Sequence, residues 1–145
     1  MGRSPRDVSL CALEAELLEG GENAKRLMLG RGDMLTLAAA SALSGLSVHA
    51  LSRRRRANLV LALPFGVGRR AYRYPAFQFE NAVRDAMPAL LALFGRNRVW
   101  QLCDFLLHSE PLLQGNMPLD LLRRGQLSDV LRAASAAALL EQGAH

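Results

Sequence analysis

The chain has 145 residues, half of them apolar and 21% charged, enough to close a core of its own and too apolar to stay disordered. Aromatic residues make up only 6% while Leu and Ala dominate, which predicts a mainly α fold with an aliphatic core. The net charge of +5 rests on 17 arginines and the single Lys25, and no apolar run reaches the roughly 18–20 residues of a transmembrane helix, so a helical membrane protein is excluded.

The first residues, Met1-Gly2-Arg3-Ser4-Pro5-Arg6-Asp7, lack the apolar core of a secretory leader, and a cytoplasmic location is expected. Val8, Cys11, Ala12, Ala15 and Leu18 then form an apolar stripe that predicts a helix over 8–19, ended by Gly20-Gly21. A shorter helix carrying Ala24, Leu27 and Met28 follows, closed by the turn Gly30-Arg31-Gly32. Residues 1–32 carry no catalytic pattern, and packing or pairing in a homodimer is their expected role. Cys11 and Cys103 are the two cysteines, both set among apolar neighbours and read as buried thiols. With His49, His108 and His145 they form no closely spaced ligand set, so no metal site is expected.

Residues 33–79 read as a winged helix-turn-helix. Thr36 is placed to cap a helix over 37–43, Gly45 supplies the positive φ of a tight interhelical turn, and Ser47 is placed to cap a second helix over 48–54. Leu59-Val60-Leu61-Ala62-Leu63 reads as a strand, residues 64–68 as a turn, and Arg69-Arg70-Ala71-Tyr72-Arg73-Tyr74 as a second strand with period-two alternation. Strand, turn and strand after two short helices make a wing. The segment Ala42-Leu43-Ser44-Gly45-Leu46-Ser47-Val48 resembles the opening elements of MerR-like and excisionase-like winged DNA-binding domains.

Charge is partitioned sharply along the chain. Residues 34–79 hold seven basic side chains and no acidic one, whereas the flanking regions nearly balance. An arginine-only stretch with no interspersed carboxylate points to a polyanion, most simply DNA. With Val48 and Leu51 inward, the second helix turns His49, Ala50 and Arg53 outward; His49 and Arg53 are candidates for base edges, and Ser47 begins the same surface. Arg54, Arg56, Arg69, Arg70 and Arg73 are candidates for phosphate contacts. Arg55 falls on the inward side, so the helix is expected to fray by Arg54 or Arg55 to snorkel.

Residues 80–145 read as a compact helical region. Pro88 opens a helix to Phe94; Trp100, Cys103, Leu106 and Leu107 share one side of the next; Pro118 and Gly125 bracket a two-turn helix; and Leu127, Val130, Leu131 and Ala134 begin a last helix that runs on through Leu140. Trp100 is read as a core filler. In order, Arg73-Tyr74-Pro75-Ala76-Phe77-Gln78-Phe79, Trp100-Gln101-Leu102, Phe105-Leu106-Leu107, Leu113-x-Gly115-x-x-Pro118-Leu119-x-Leu121-Leu122-Arg123-x-Gly125 and Val130-Leu131-x-Ala133-Ala134 resemble the C-terminal toxin-binding domain of the Xre/MbcA/ParS-type antitoxin family.

That resemblance covers about residues 73–135. It implies a helical toxin-binding domain, a cognate toxin of the NAD-consuming RES-domain kind as partner, obstruction of the toxin's active site, autorepression at operator DNA, and a homodimer. On the matching positions it implies toxin contacts near Gly115, Pro118, Arg123, Arg124 and Arg132. The toxin, not this chain, handles NAD: no Gly-x-Gly-x-x-Gly occurs, and no cofactor is expected. Two departures from the family stand out. Met117 replaces the threonine that often precedes the proline, leaving Asn116 as the candidate cap, and the N-terminal part is MerR-like where Cro-like forms are common. No catalytic constellation is apparent, because the carboxylates, Asp104, Asp120 and Asp129 among them, are scattered on helix faces. A stand-alone winged-helix regulator with a dimerising C-terminal half is the alternative.

Overall fold

The computed structural model describes residues 33–65 and 71–143. The helices expected over 8–19 and around 24–28, Cys11, the wing turn at 66–68, and Arg69 and Arg70 lie outside them. Packing divides the chain after Met34, and one compact unit begins at Leu35.

The unit is mainly helical with a small sheet. Strand β1 (Met34–Leu35) is followed by helices α1 (Leu37–Ser44) and α2 (Val48–Arg56), then by β2 (Leu63–Phe65) and β3 (Ala71–Pro75). The strand order is β1-β3-β2, and β2 and β3 pair antiparallel with Leu63 opposite Arg73, Pro64 opposite Tyr72 and Phe65 opposite Ala71. A 3-10 turn at Ala76–Phe79 leads into α3 (Asn81–Arg84), α4 (Met87–Phe94), α5 (Val99–Leu107), α6 (Pro118–Arg123) and α7 (Leu127–Gly143).

The two-helix element is fixed by its polar residues. The Ala39 N–H donates to Thr36 Oγ1 at 3.1 Å and the Ala50 N–H to Ser47 Oγ at 3.0 Å, so both helices begin on side-chain caps. Gly45 has φ 77°, a conformation that strains residues bearing a Cβ, and its N–H closes α1 on the Ser41 carbonyl. Ser41 Oγ donates to the Leu46 carbonyl at 2.5 Å, and Ser44 Oγ accepts from the Leu46 N–H at 3.2 Å, so two serines staple the turn. Below it, Ala40, Leu51, Val60, Ala62 and Tyr74 form one small core, flanked by Leu35, Leu37, Leu46, Tyr72 and Phe79.

Two local expectations are corrected. Of the two outcomes expected for the second helix, fraying by Arg54 does not occur; it continues to Arg56 because it has a proper stop. Asn58 adopts φ 61°, its N–H bonds the Arg55 carbonyl at 3.0 Å, and the Leu59 N–H reaches back to the Arg54 carbonyl at 2.9 Å, a Schellman ending with Asn in place of Gly. The first wing strand is Leu63–Phe65, not 59–63, so Pro64 belongs to the strand and not to the turn. The reason is Gln78. Its carboxamide, 2% exposed, accepts from the Leu61 N–H and donates to the Leu61 carbonyl, both at 2.7 Å, and so takes the place a partner strand would occupy.

The helical part closes on Met87, Leu90, Leu91 and Phe94 of α4, which pack against α5 and α7. Leu102, Cys103 and Leu106 of α5 are fully buried, while Trp100, Phe105 and Leu107 are half-buried; the Phe105 ring lies 5.6 Å from that of Phe94. Pro118 is buried at the start of α6. That helix begins without a side-chain cap: Asn116 does not replace the missing threonine, and its amide donates to the Leu113 carbonyl at 2.9 Å. Gly125, at φ 82°, ends α6 with the same two backbone bonds seen after α2: its own N–H to Leu122 and the Gln126 N–H to Leu121.

Candidate functional site

The arginine surface is organised by one buried residue. Leu51 is wholly inaccessible and pins α2 to the core. At about 100° per residue, His49, Arg53 and Arg56 then fall on the opposite face, with Ala50 at its edge, and all but Ala50 are exposed. Arg54, also exposed, is rotated toward a cleft of about 580 Å³ that Leu43, Leu46 and Leu59 help to line. Arg53, Arg54 and Arg56 make no ion pair among the described residues. Ser47 is exposed, but its hydroxyl is committed to capping α2.

Arg55 differs from its three neighbours. It turns inward onto β3: its guanidinium carbon lies 4.2 Å from the centroid of the Tyr72 ring. Burial pushes the Tyr74 hydroxyl above its ordinary pKa, and the Arg55 charge partly offsets that rise. Arg73, on the other side of β3, is half-buried and donates to the Tyr72 carbonyl at 3.3 Å.

The far end of α2 is held by the helical part of the unit. Arg96 donates to the Arg56 carbonyl at 2.5 Å, and Asn58 Nδ2 donates to the Leu91 carbonyl at 3.1 Å. The arginine face is therefore mounted on a helix fixed at both ends: by a cap and staple at its start, and by α4 and the 3-10 turn Arg96–Arg98 at its finish.

Comparison with known proteins returns no matching family model, no similar curated protein and no similar solved structure.

The residues singled out in the helical part separate into different roles. Gly115 sits in the turn between Pro111–Leu113 and α6, and Pro118 is buried, so both shape the backbone. Arg123 makes a two-point bond to Glu80, Nε to Oε1 at 2.9 Å and NH2 to Oε2 at 2.8 Å, which holds the Glu80 carboxyl below its ordinary pKa. Arg124 is exposed at the end of α6. Arg132 is exposed, pairs with Asp129 at 3.4 Å, and lines a cleft of about 390 Å³ with Leu112, Leu121, Ala133 and Ala136. Arg132 is the one of the five that faces this cleft. Leu112, Leu139 and Leu140 are exposed apolar side chains in the same region of the sequence.

Sequence reasoning missed Gln78, Asn58, Glu80 and Arg96. A signal existed for two of them. Gln78 interrupts an apolar run, as a buried polar residue does, and Asn58 stands just past a helix, where Asn is second only to Gly. No helix among the described residues is long and apolar enough to cross a membrane. Nor does any group of three or more His, Cys, Asp or Glu among them have the arrangement to hold a metal ion.

Proposed function

We propose that this chain is the antitoxin of a type II toxin–antitoxin pair. It neutralises a RES-domain, NAD-consuming toxin by direct binding that obstructs the active site, and represses its own operon as a cytoplasmic homodimer. The reading rests on one coexistence. An arginine face without a neutralising carboxylate sits on the second helix of a helix-turn-helix. In the same compact unit, the Gly115–Pro118–Gly125 segment folds as turn, helix and turn beside an open cleft. The first feature suits a DNA backbone; the second carries the residues that resemble the antitoxin family.

Co-expression with the product of the neighbouring gene tests the pairing. The expected result is a complex that co-purifies through size exclusion. Two proteins that elute apart, with the partner still active on NAD, would contradict it.

One observation favours the alternative of a stand-alone winged-helix regulator whose C-terminal half dimerises. Arg123 and Arg132 are engaged by Glu80 and Asp129 of their own chain, which leaves fewer cations for a second protein. That alternative retains DNA binding and lacks neutralisation.

A further inference from the structure

We propose that Arg55 is a positioning residue of the DNA interface, which fastens the wing strand to the recognition helix and so fixes where Arg73 is presented. The inference rests on the DNA-binding reading above. Four arginines follow one another in α2; three face solvent and one is turned onto the wing. Tyr72 and Tyr74 lie two residues apart on β3 and therefore share a face, the face that meets Arg55. The guanidinium covers the Tyr72 ring at 4.2 Å, and Tyr74, fully buried on the same face of the strand, continues the surface it meets. A planar guanidinium stacks on a ring face in a fixed orientation, whereas the compact ammonium of lysine does not.

The arrangement carries a cost. Arg55 Nε is buried and has no hydrogen-bond partner, a penalty that a solvated surface charge does not bear. Arg55 is thus a constrained joint between helix and strand, not a fourth member of the solvated face. Arg73 is the residue next to Tyr72 and hydrogen-bonds its carbonyl, so whatever sets the position of Tyr72 sets the base from which Arg73 extends.

The test is a double-mutant cycle on the full chain with a mixed-sequence DNA duplex. Arg56→Lys should bind like the parent, and Arg56→Ala about 5-fold more weakly, as expected for a solvent-facing phosphate contact. Arg55→Lys keeps the charge yet should lose about 5-fold, and Arg73→Ala a similar amount. The combined Arg55→Lys/Arg73→Ala variant should be scarcely weaker than either single one, because each removes the same presented contact; independent losses would multiply to about 25-fold. Thermal unfolding of each variant separates this coupling from loss of the fold. Should Arg55→Lys unfold, Tyr72→Leu in its place completes the cycle. Parental binding by Arg55→Lys, or multiplying losses, overturns the positioning role while leaving DNA binding in place. No duplex binding by the parent, with Arg56→Ala indistinguishable from it, overturns the DNA reading and this role with it.

Discussion

Arg123 and Glu80 form a two-point ion pair that ties the end of α6 to the start of α3, across 43 positions of sequence. The resemblance implies that Arg123 contacts a toxin; in the fold it also braces its own chain. Both side chains are 43% exposed, so solvent screens the pair and its worth is about 0.5 kcal/mol.

Glu80→Gln should therefore cost about 0.5 kcal/mol near neutral pH. Because Arg123 lowers the Glu80 pKa in the folded state, the stabilisation is complete above the ordinary glutamate value, about 4.3, and disappears as pH falls through the folded-state value. Urea unfolding of parent and variant at neutral pH and at about pH 3 checks this. The difference should be present in the first series and smaller in the second.

Gln78→Leu should destabilise the unit far more, by about 3 kcal/mol. It strands a buried N–H and a buried carbonyl of Leu61 together. Gln78→Asn, one methylene shorter, should recover little of the loss. The urea midpoint of each variant is the measurement.

Asn58 supplies both a left-handed turn and a bond to the Leu91 carbonyl. Asn58→Gly should lie within about 1 kcal/mol of the parent, since an easier backbone offsets the lost side-chain bond. Asn58→Val should lose about 2 kcal/mol or more, because a β-branched residue resists positive φ. Thermal unfolding distinguishes the two.

DNA affinity should fall steeply as salt rises, because bound arginines release counterions from phosphates. Arg56→Ala should reduce the slope of log affinity against log salt by about 0.9, the amount for one phosphate contact. Fluorescence anisotropy across a salt series reads this directly, and a flat response would assign the arginines to another surface.

Much of this fold was legible because local chemistry and tertiary packing agree. Thr36, Gly45 and Ser47 punctuate the helix-turn-helix as their side chains predict, and Pro118 and Gly125 bracket α6. The misreadings arose where a distant partner decides. Residues 59–62 have strand composition, yet Gln78, 17 positions beyond Leu61, takes their backbone bonds. Arg55 was legible as inward-facing from helical spacing; that Tyr72 of β3 receives it is a fact of strand register, which spacing alone does not give. At the candidate site, the exposure of His49, Arg53 and Arg56 followed from the position of Leu51, whereas Val48, read as inward with it, is 39% exposed. The commitment of Arg123 to Glu80 did not, because it depends on how α6 meets α3.

The central claim is neutralisation, and its most direct measurement is cellular NAD during induction of the neighbouring gene's product, with and without this chain. The account predicts that NAD and growth are maintained when the chain is present, and equally when it carries Arg53→Ala and Arg54→Ala. NAD falling and cells dying at the same rate in the presence of the parent chain would contradict it.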